Sequence, residues 1–408
     1  MSLGRPFAAL WSANALSNLS DGLAFVTMPL LAASLTDDPR LIAGLATLYA
    51  LVRLLVVLPV GVYVDRFDRR SLIVTANMLR GLAVLGLAVS VQFGAASLIA
   101  LYAVMAVVAT LESFADHAAV AMLPSLVRRA QFDKANARVA SAQLIADEFV
   151  GPPLGGLLFA VAVSAPVFAM GGLWAAAGVV ALALPRALNR RSPADGPVSA
   201  RRSSIYREAR EGIVWLSRHR VVGSLALIGG LASVGYMLPF SVLVLFAEER
   251  LGLDGAGYGV LLAFSALGGV LGTVVAPRAS ARLGYRSTIV GSLAVGAISL
   301  AGLFLASTPI FAGLMLALYI FHAVVWNICA TSVRQRLIPG DMLGRVGAAS
   351  RVLGLIGLAI GSALGGLLAV GDIATPTLVG ALVFISCALI AFWALPRRGM
   401  LDLEVAGD

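Results

Sequence analysis

Charge is what this 408-residue chain has least of. Asp, Glu, Lys and Arg make up 12% of it, about half the share found in soluble globular domains. Hydrophobic residues make up 60%, and the mean hydropathy is +0.94. A water-soluble globule is thereby excluded, and the length-per-domain rule for such proteins does not apply. Lysine is nearly absent: Lys134 is the one lysine among 30 basic residues. The two cysteines, Cys329 and Cys387, both fall in apolar stretches, so neither a disulfide framework nor a metal site is read from them. A phosphate-cradling Gly-x4-Gly-Lys-Ser/Thr loop is missing, which argues against direct ATP drive. There is no Cys/His cluster and no polar domain large enough for catalysis. The chain is therefore not read as an enzyme, and it calls for no cofactor and no metal. A net charge of +9 invites a nucleic-acid reading, but the placement of the arginines decides against one.

What is present is apolar length. A bilayer-spanning helix needs about 20 mostly apolar residues. Twelve segments qualify, at 7–35, 41–64, 71–93, 97–123, 139–163, 165–184, 221–247, 257–276, 287–306, 309–333, 343–370 and 376–395. The sequence thus predicts an all-α polytopic membrane protein. The N-terminal stretch is too long for a signal-peptide core and lacks a small-residue cleavage site, so it is expected to be retained. Alternate loops carry 25 of the 30 basic residues, and the opposite loops carry only Arg40 and Arg250. By the positive-inside rule both termini are cytoplasmic. The arginines therefore meet the membrane surface, not a nucleic acid. The longest loop divides six segments from six, giving bundles at 1–185 and 221–408 and a basic linker at 186–220. Within the linker, 203–219 reads either as an amphipathic helix on the anionic inner leaflet or as solvated chain.

The halves repeat. Asp147-x3-Gly151-Pro152-x2-Gly155-Gly156 in segment 5 matches Gly357-x3-Gly361-Ser362-x2-Gly365-Gly366 in segment 11, 210 residues on. A duplicated transporter fold, two six-helix bundles with pseudo-two-fold symmetry, predicts this equivalence. Glycines at such spacings allow close backbone approach. The doubled proline, Pro152-Pro153, removes two backbone donors. Gly151, Pro152, Pro153, Gly155 and Gly156 are accordingly read as a pivot.

An ionisable group at mid-bilayer costs about 2.5–3.5 kcal/mol, so it is expected to be paired, to face a cavity or to act. The candidates for proton coupling are Asp21 in segment 1, Glu112 and Asp116 in segment 4, and Asp147 and Glu148 in segment 5. Their cationic counterparts are Arg53, Arg80 and Arg351. Asp21 sits in a polar run with Ser17 on its face and with Asn14 and Asn18 alongside. Two readings stand for it: a proton or substrate site, or a carboxylate neutralised by Arg53. Glu112 and Asp116 lie one turn apart and face the same way. They read either as a titrating pair or as a network with Arg80 and nearby arginines. His117 is read as structural. Asn14, Asn18 and Met28, with His322, Trp326 and Asn327 in the second half, are the candidates for lining a substrate cavity.

The stretch Gly61-Val-Tyr-Val-Asp65-Arg66-Phe-Asp68-Arg69-Arg70 interrupts the apolar sequence with five charges in six residues. Its Gly-x3-Asp-Arg-x2-Arg-Arg spacing after segment 2 resembles the signature loop of the major facilitator superfamily of secondary transporters. Further residues carry the resemblance to a branch of bacterial drug and siderophore exporters that includes the enterobactin exporter and macrolide-efflux proteins. These are Ser20-Asp21-Gly22, Met28-Pro29-Leu30-Leu31, Gly151-Pro152-Pro153-Leu154-Gly155-Gly156, Ser332-Val333-Arg334-Gln335 and Gly344-Arg345-Val346. The resemblance implies that Gly61, Asp65, Arg66, Arg69 and Arg70 form a cytoplasmic latch toward segment 11. The Gly-Pro-x2-Gly-Gly element resembles the motif associated with antiporters, with Asp147 where its leading glycine would stand. The segment 4 arginine of many proton-coupled drug exporters is replaced here by Glu112 and Asp116, which shifts the expected proton site to carboxylates.

These features predict a proton-coupled antiporter of a bacterial inner membrane. It is expected to be a monomer in the lipid bilayer, exchanging protons for a small lipophilic substrate such as a drug, antibiotic or secondary metabolite. Two other readings remain at this stage: an uptake symporter for a nutrient or siderophore, and a transporter-like sensor or assembly factor with no flux.

Overall fold

A computed structural model describes residues 3–186, 205–340 and 342–396. All regular structure among them is helical. Eleven helices are long and apolar enough to cross a bilayer, and the shorter apolar helix Ala165–Ala181 makes twelve. Span 1 is Arg5–Ala33, span 2 Pro39–Arg66, span 3 Arg69–Gln92 and span 4 Leu98–Leu126. Span 5 runs through three joined pieces: Phe132–Gln143, a π-helical turn Leu144–Val150, and Gly151–Val161. Span 6 is Ala165–Ala181. Span 7 is Arg220–Phe240, prolonged by Leu243–Leu245 and a π-helical turn Phe246–Arg250. Spans 8 to 12 are Gly255–Leu283, Tyr285–Phe304, Pro309–Leu337, Leu343–Ala369 and Thr375–Ala394.

Local chemistry explains several boundaries. The Asp68 carboxylate accepts from the Ser71 backbone N–H at 2.9 Å and caps span 3. Ser97 and Thr308 cap spans 4 and 10 in the same way. Pro152 and Pro153 lack the N–H groups that would bond the carbonyls four residues before them, and the chain widens into a π turn immediately upstream.

The chain forms two compact units. One holds residues 1–37, 51–200 and 253–263, the other 38–50, 201–252 and 264–408. Two stretches thus cluster outside the half to which their sequence position assigns them: the first part of span 2 and the first part of span 8. Inside the first unit the main helix contacts are span 3 with 6, 1 with 6, 3 with 4, and 1 with 5. Inside the second they are span 9 with 12, 7 with 12, 9 with 10, and 7 with 11. Adding six to each span number converts one set into the other, so the repeat seen in the sequence is a repeat of packing.

Glycine makes these contacts close. A Cβ on Gly22 would sit 2.6 Å from the Asp147 carbonyl oxygen, and one on Gly151 would sit 2.6 Å from Gly22 Cα. In the second unit, Gly357 and Gly361 of span 11 meet the backbone of span 7 at Gly230 and Val234. The last glycine of each repeat serves the transferred helix end. Gly156 lies against Gly259 of span 8, and Gly366 lies against Arg40 and Ala43 of span 2. Outward-facing side chains are large and apolar; Leu55, Ile99, Val120, Val161, Ile310 and Trp393 are each more than two-thirds exposed. Such a surface suits hydrocarbon, not water.

Part of the linker, 187–204, lies outside the described residues. From Ile205 to Arg218 the chain is helical, matching the amphipathic segment expected there. This helix is docked: Leu216 packs with Val222, Ile338, Val346 and Ala349, and Glu211 pairs with Arg345 at 3.1 Å.

Candidate functional site

The first unit gathers its intramembrane charges into one cluster. Arg80 of span 3 is its centre and is fully buried. One terminal nitrogen donates to Asn77 Oδ1 at 2.6 Å and to Ser17 Oγ at 2.9 Å; the other lies 3.4 Å from Asp21 Oδ1. Its guanidinium lies 5.0 Å from the centroid of Trp174, itself fully buried, a cation–π contact strengthened by desolvation. Ser17 Oγ donates to Asp21 Oδ2 at 3.5 Å. Asp21 therefore sits on span 1 between a hydroxyl one turn back and a guanidinium from span 3.

Arg53 of span 2 serves the second acidic group. It donates to Glu112 at 2.7 Å and lies 3.8 Å from Asp116, both on span 4. The sequence suggested Arg53 as the partner of Asp21 and Arg80 as a partner of Glu112 and Asp116. The structure exchanges these pairings, because spans 1 and 3 both pack against span 6 and Arg80 of span 3 reaches Asp21. Asp147, in the π turn, is brought to span 1 by the Gly22 contact. Glu112, Asp116 and Asp147 all act electrostatically on Asp21. Three of these carboxylates are thus held by Arg53 and Arg80. Exposure differs within the set: the Glu112 side chain is 11% exposed and that of Asp116 is 47% exposed. The side chain of Glu148 lies outside the described residues.

The remaining candidates are distributed differently. Asn14 and Asn18 are half-buried, and Met28 is fully buried in the core. His117 Nδ1 bonds the Ser113 carbonyl at 2.7 Å, a local structural contact. His322 is buried in the second unit, boxed by Tyr319, Phe384 and Gly296, and neither ring nitrogen has a hydrogen-bond partner. Trp326 is half-buried and Asn327 exposed, so these three do not form one lining. Arg351, on span 11, belongs to the second unit and is exposed.

The charged signature after span 2 is mostly helix. Gly61 to Arg66 end span 2, and Arg69 and Arg70 begin span 3. The Asp65 side chain lies outside the described residues. Arg69 donates to the Ala121 carbonyl at 2.8 Å near the end of span 4, and Arg70 to the Leu182 carbonyl at 2.6 Å at the end of span 6. Cations are favourable near helix C-termini, where the macrodipole is negative. These two arginines stitch together the ends of three helices.

Sequence reasoning missed Asn77 and Trp174, which complete the Arg80 site. The available signal was spacing: Asn77 stands one turn before Arg80 in an otherwise apolar helix, where a lone amide needs a partner.

Comparison with known proteins bears on the whole chain. The Major Facilitator Superfamily profile matches residues 10–253 and 225–404. The enterobactin exporter EntS of Salmonella typhi is 27% identical over 414 residues, covering 98% of this chain and 92% of that protein. EntS of Shigella boydii serotype 4 (strain Sb227) is 27% identical over 376 residues, covering 91% and 86%. Among solved structures, a mutant of the nucleoside transporter NupG aligns with a TM-score of 0.79 at 10% identity, covering 96% of this chain and 100% of its own. A bacterial homologue of the iron transporter ferroportin, in an inward-facing state, aligns at 0.72 with 19% identity and the same coverage.

Proposed function

The chain belongs to the major facilitator superfamily, and from that premise we propose that it is a proton-coupled antiporter that exports a small, largely apolar compound by alternating access. The observation that carries the coupling is the charge count inside the first unit. Asp21 pairs with Arg80, Glu112 and Asp116 pair with Arg53, and Asp147 adds a further negative charge that acts on Asp21. In a low-dielectric interior a surplus of like charge is unfavourable, so the cluster is neutralised by taking up protons. Asp21 is the best placed to cycle. Its contact with Arg80 is the longest that guanidinium makes, and Ser17 and Asn77 hold Arg80 when the carboxylate is neutralised. Glu112 is held by Arg53 at 2.7 Å. Asp116, looser and half exposed, offers a way in for the proton.

The direction of transport rests on relatives that are exporters by name, and the lipophilic substrate on the aliphatic character of the spans. A proton-motive force of roughly 150 mV, at about 2.3 kcal/mol per charge per 100 mV, gives about 3.5 kcal/mol. That supports a gradient of roughly 300-fold per proton. In this reading the arginine-rich ends and both termini face the cytoplasm of a bacterial inner membrane, and the monomer is the working unit. Gly61, Asp65, Arg66, Arg69 and Arg70 act as a latch on that side. The segment Gly151, Pro152, Pro153, Gly155 and Gly156, beside the π turn, is the pivot. Asn14 and Asn18 line the substrate path.

The test uses everted vesicles from a host without its own efflux pumps, with a panel of antibiotics, lipophilic cations and a catecholate siderophore. Wild type should accumulate a panel member on energisation and lose it with a protonophore, and Asp21→Asn should abolish that accumulation. Asp38→Asn is the control. Arg40 donates to the exposed Asp38 carboxylate through side chain and backbone and holds it below the usual carboxylate range near 4. Its ionisation, and whatever it contributes, is lost only as pH falls through that lowered value, so the transport profile between pH 5 and 8 should not move. Energised accumulation that survives in Asp21→Asn would sink the assignment of the coupling site.

A further inference from the structure

A second site lies in the same unit and outside the charge cluster. The first turns of span 1 and the start of span 5 line an open groove of about 900 Å³, within the roughly 300–1,000 Å³ of built ligand sites. Arg5, Lys134 and Arg138 bring three cations to it, and Trp11 and Ile145 supply exposed apolar surface. Among the described residues that line it, none is acidic. The chain's single lysine is thus among the three cations here.

We propose that this groove binds one anionic diacyl phospholipid, with its phosphate on the cations and an acyl chain on the apolar floor. Depth supports the assignment. Arg5 is the first residue of its helix and Trp11 lies six residues on, about 9 Å deeper at 1.5 Å per residue. Lys134 and Ile145 are separated by 11 residues of helix, about 16 Å. Arg5 and Lys134 therefore sit at the mouth, Arg138 lies beside Trp11, and the surface of Ile145 lies below them, the order in which a lipid presents its headgroup and chains. Trp11 stands at the level where indoles meet the membrane interface, and its Nε1 donates to the Arg138 carbonyl at 3.1 Å, which fixes the ring at the groove wall. Two guanidiniums suit a phosphate diester, which they can bind through paired donors. A choline headgroup would set its own cation against the same three, so the groove discriminates by net charge. A free phosphate has no use for the apolar floor.

The full chain, purified in detergent, would be titrated with phosphatidylglycerol or phosphatidylcholine carrying brominated acyl chains. Bromine quenches an indole on contact, and subtracting the signal of Trp11→Phe isolates Trp11 from the other four tryptophans. Phosphatidylglycerol should quench Trp11 at a concentration about tenfold lower than phosphatidylcholine. That preference should shrink as salt is raised and vanish in the Arg5→Gln/Lys134→Gln/Arg138→Gln variant. If the triple variant fails to fold, Arg138→Gln alone keeps the backbone acceptor for Trp11 and should reduce the preference. Equal quenching by the two lipids, or a preference untouched by salt and by the variants, overturns the proposal. An arm with millimolar inorganic phosphate separates the sources: no displacement supports a lipid site. Displacement together with absent acyl quenching would mean a free-anion site and overturn it.

Discussion

Arg80 shows how a single buried cation organises the site. Its guanidinium holds a carboxylate, a hydroxyl, an amide and an indole from three helices. Removing one partner of a buried pair leaves the other charge uncompensated, at about 3–5 kcal/mol. Arg80→Leu should therefore destabilise the protein by that order in a thermal melt in detergent. Arg80→Leu/Asp21→Asn should recover much of the loss, because no charge is left stranded. A double variant no more stable than the single would show that the guanidinium works through Asn77 and Trp174, not Asp21. The charges themselves were legible in the sequence as rare ionisable residues in apolar segments. Their pairing was not, since Arg53 and Arg80 lie at comparable depths and only the packing of span 3 chooses between them. Grouping His322 with Asn327 met a geometric obstacle. Five residues turn a helix by about 140° from its starting face, and His322 is buried where Asn327 is exposed.

Span 5 is the element in which sequence and structure meet most closely. Its glycines were readable as contact points, and each meets the backbone or side chain of a neighbouring helix. The π turn was not readable, because two missing donors do not determine how the orphaned carbonyls rearrange; the contact with Gly22 does part of that. Gly22→Val and Gly151→Val should both fail to give folded protein by fluorescence-detected size exclusion. Either side chain would have to displace backbone 2.6 Å away, beyond the about 1–3 kcal/mol of ordinary overpacking. Gly61→Ala, with nothing within 4 Å of its new methyl, should fold normally. Normal yields from both valine variants would mean that spans 1 and 5 are not so tightly joined.

Across the whole molecule, hydropathy and arginine placement were enough to count twelve spans and divide them six and six. They could not show that spans 2 and 8 each lend an end to the other unit, because hydropathy follows the chain and not its neighbours. Thr47 of span 2 and Ser362 of span 11 sit within the second unit with their hydroxyl oxygens 2.9 Å apart. A Thr47→Cys/Ser362→Cys variant should form a disulfide on oxidation and stop transport, and reductant should restore it. Undiminished transport in the oxidised variant would show that this end of span 2 never leaves span 11. The same lent helix end sets a schedule for biosynthesis. Thr47 and Ser362 are 315 residues apart, and a ribosome adding about 5–20 residues per second needs roughly 15–60 seconds between them. Through that interval the nascent chain waits in the bilayer with one end of span 2 unmatched; the first unit is completed only by the start of span 8, and the second only when its last helices are made.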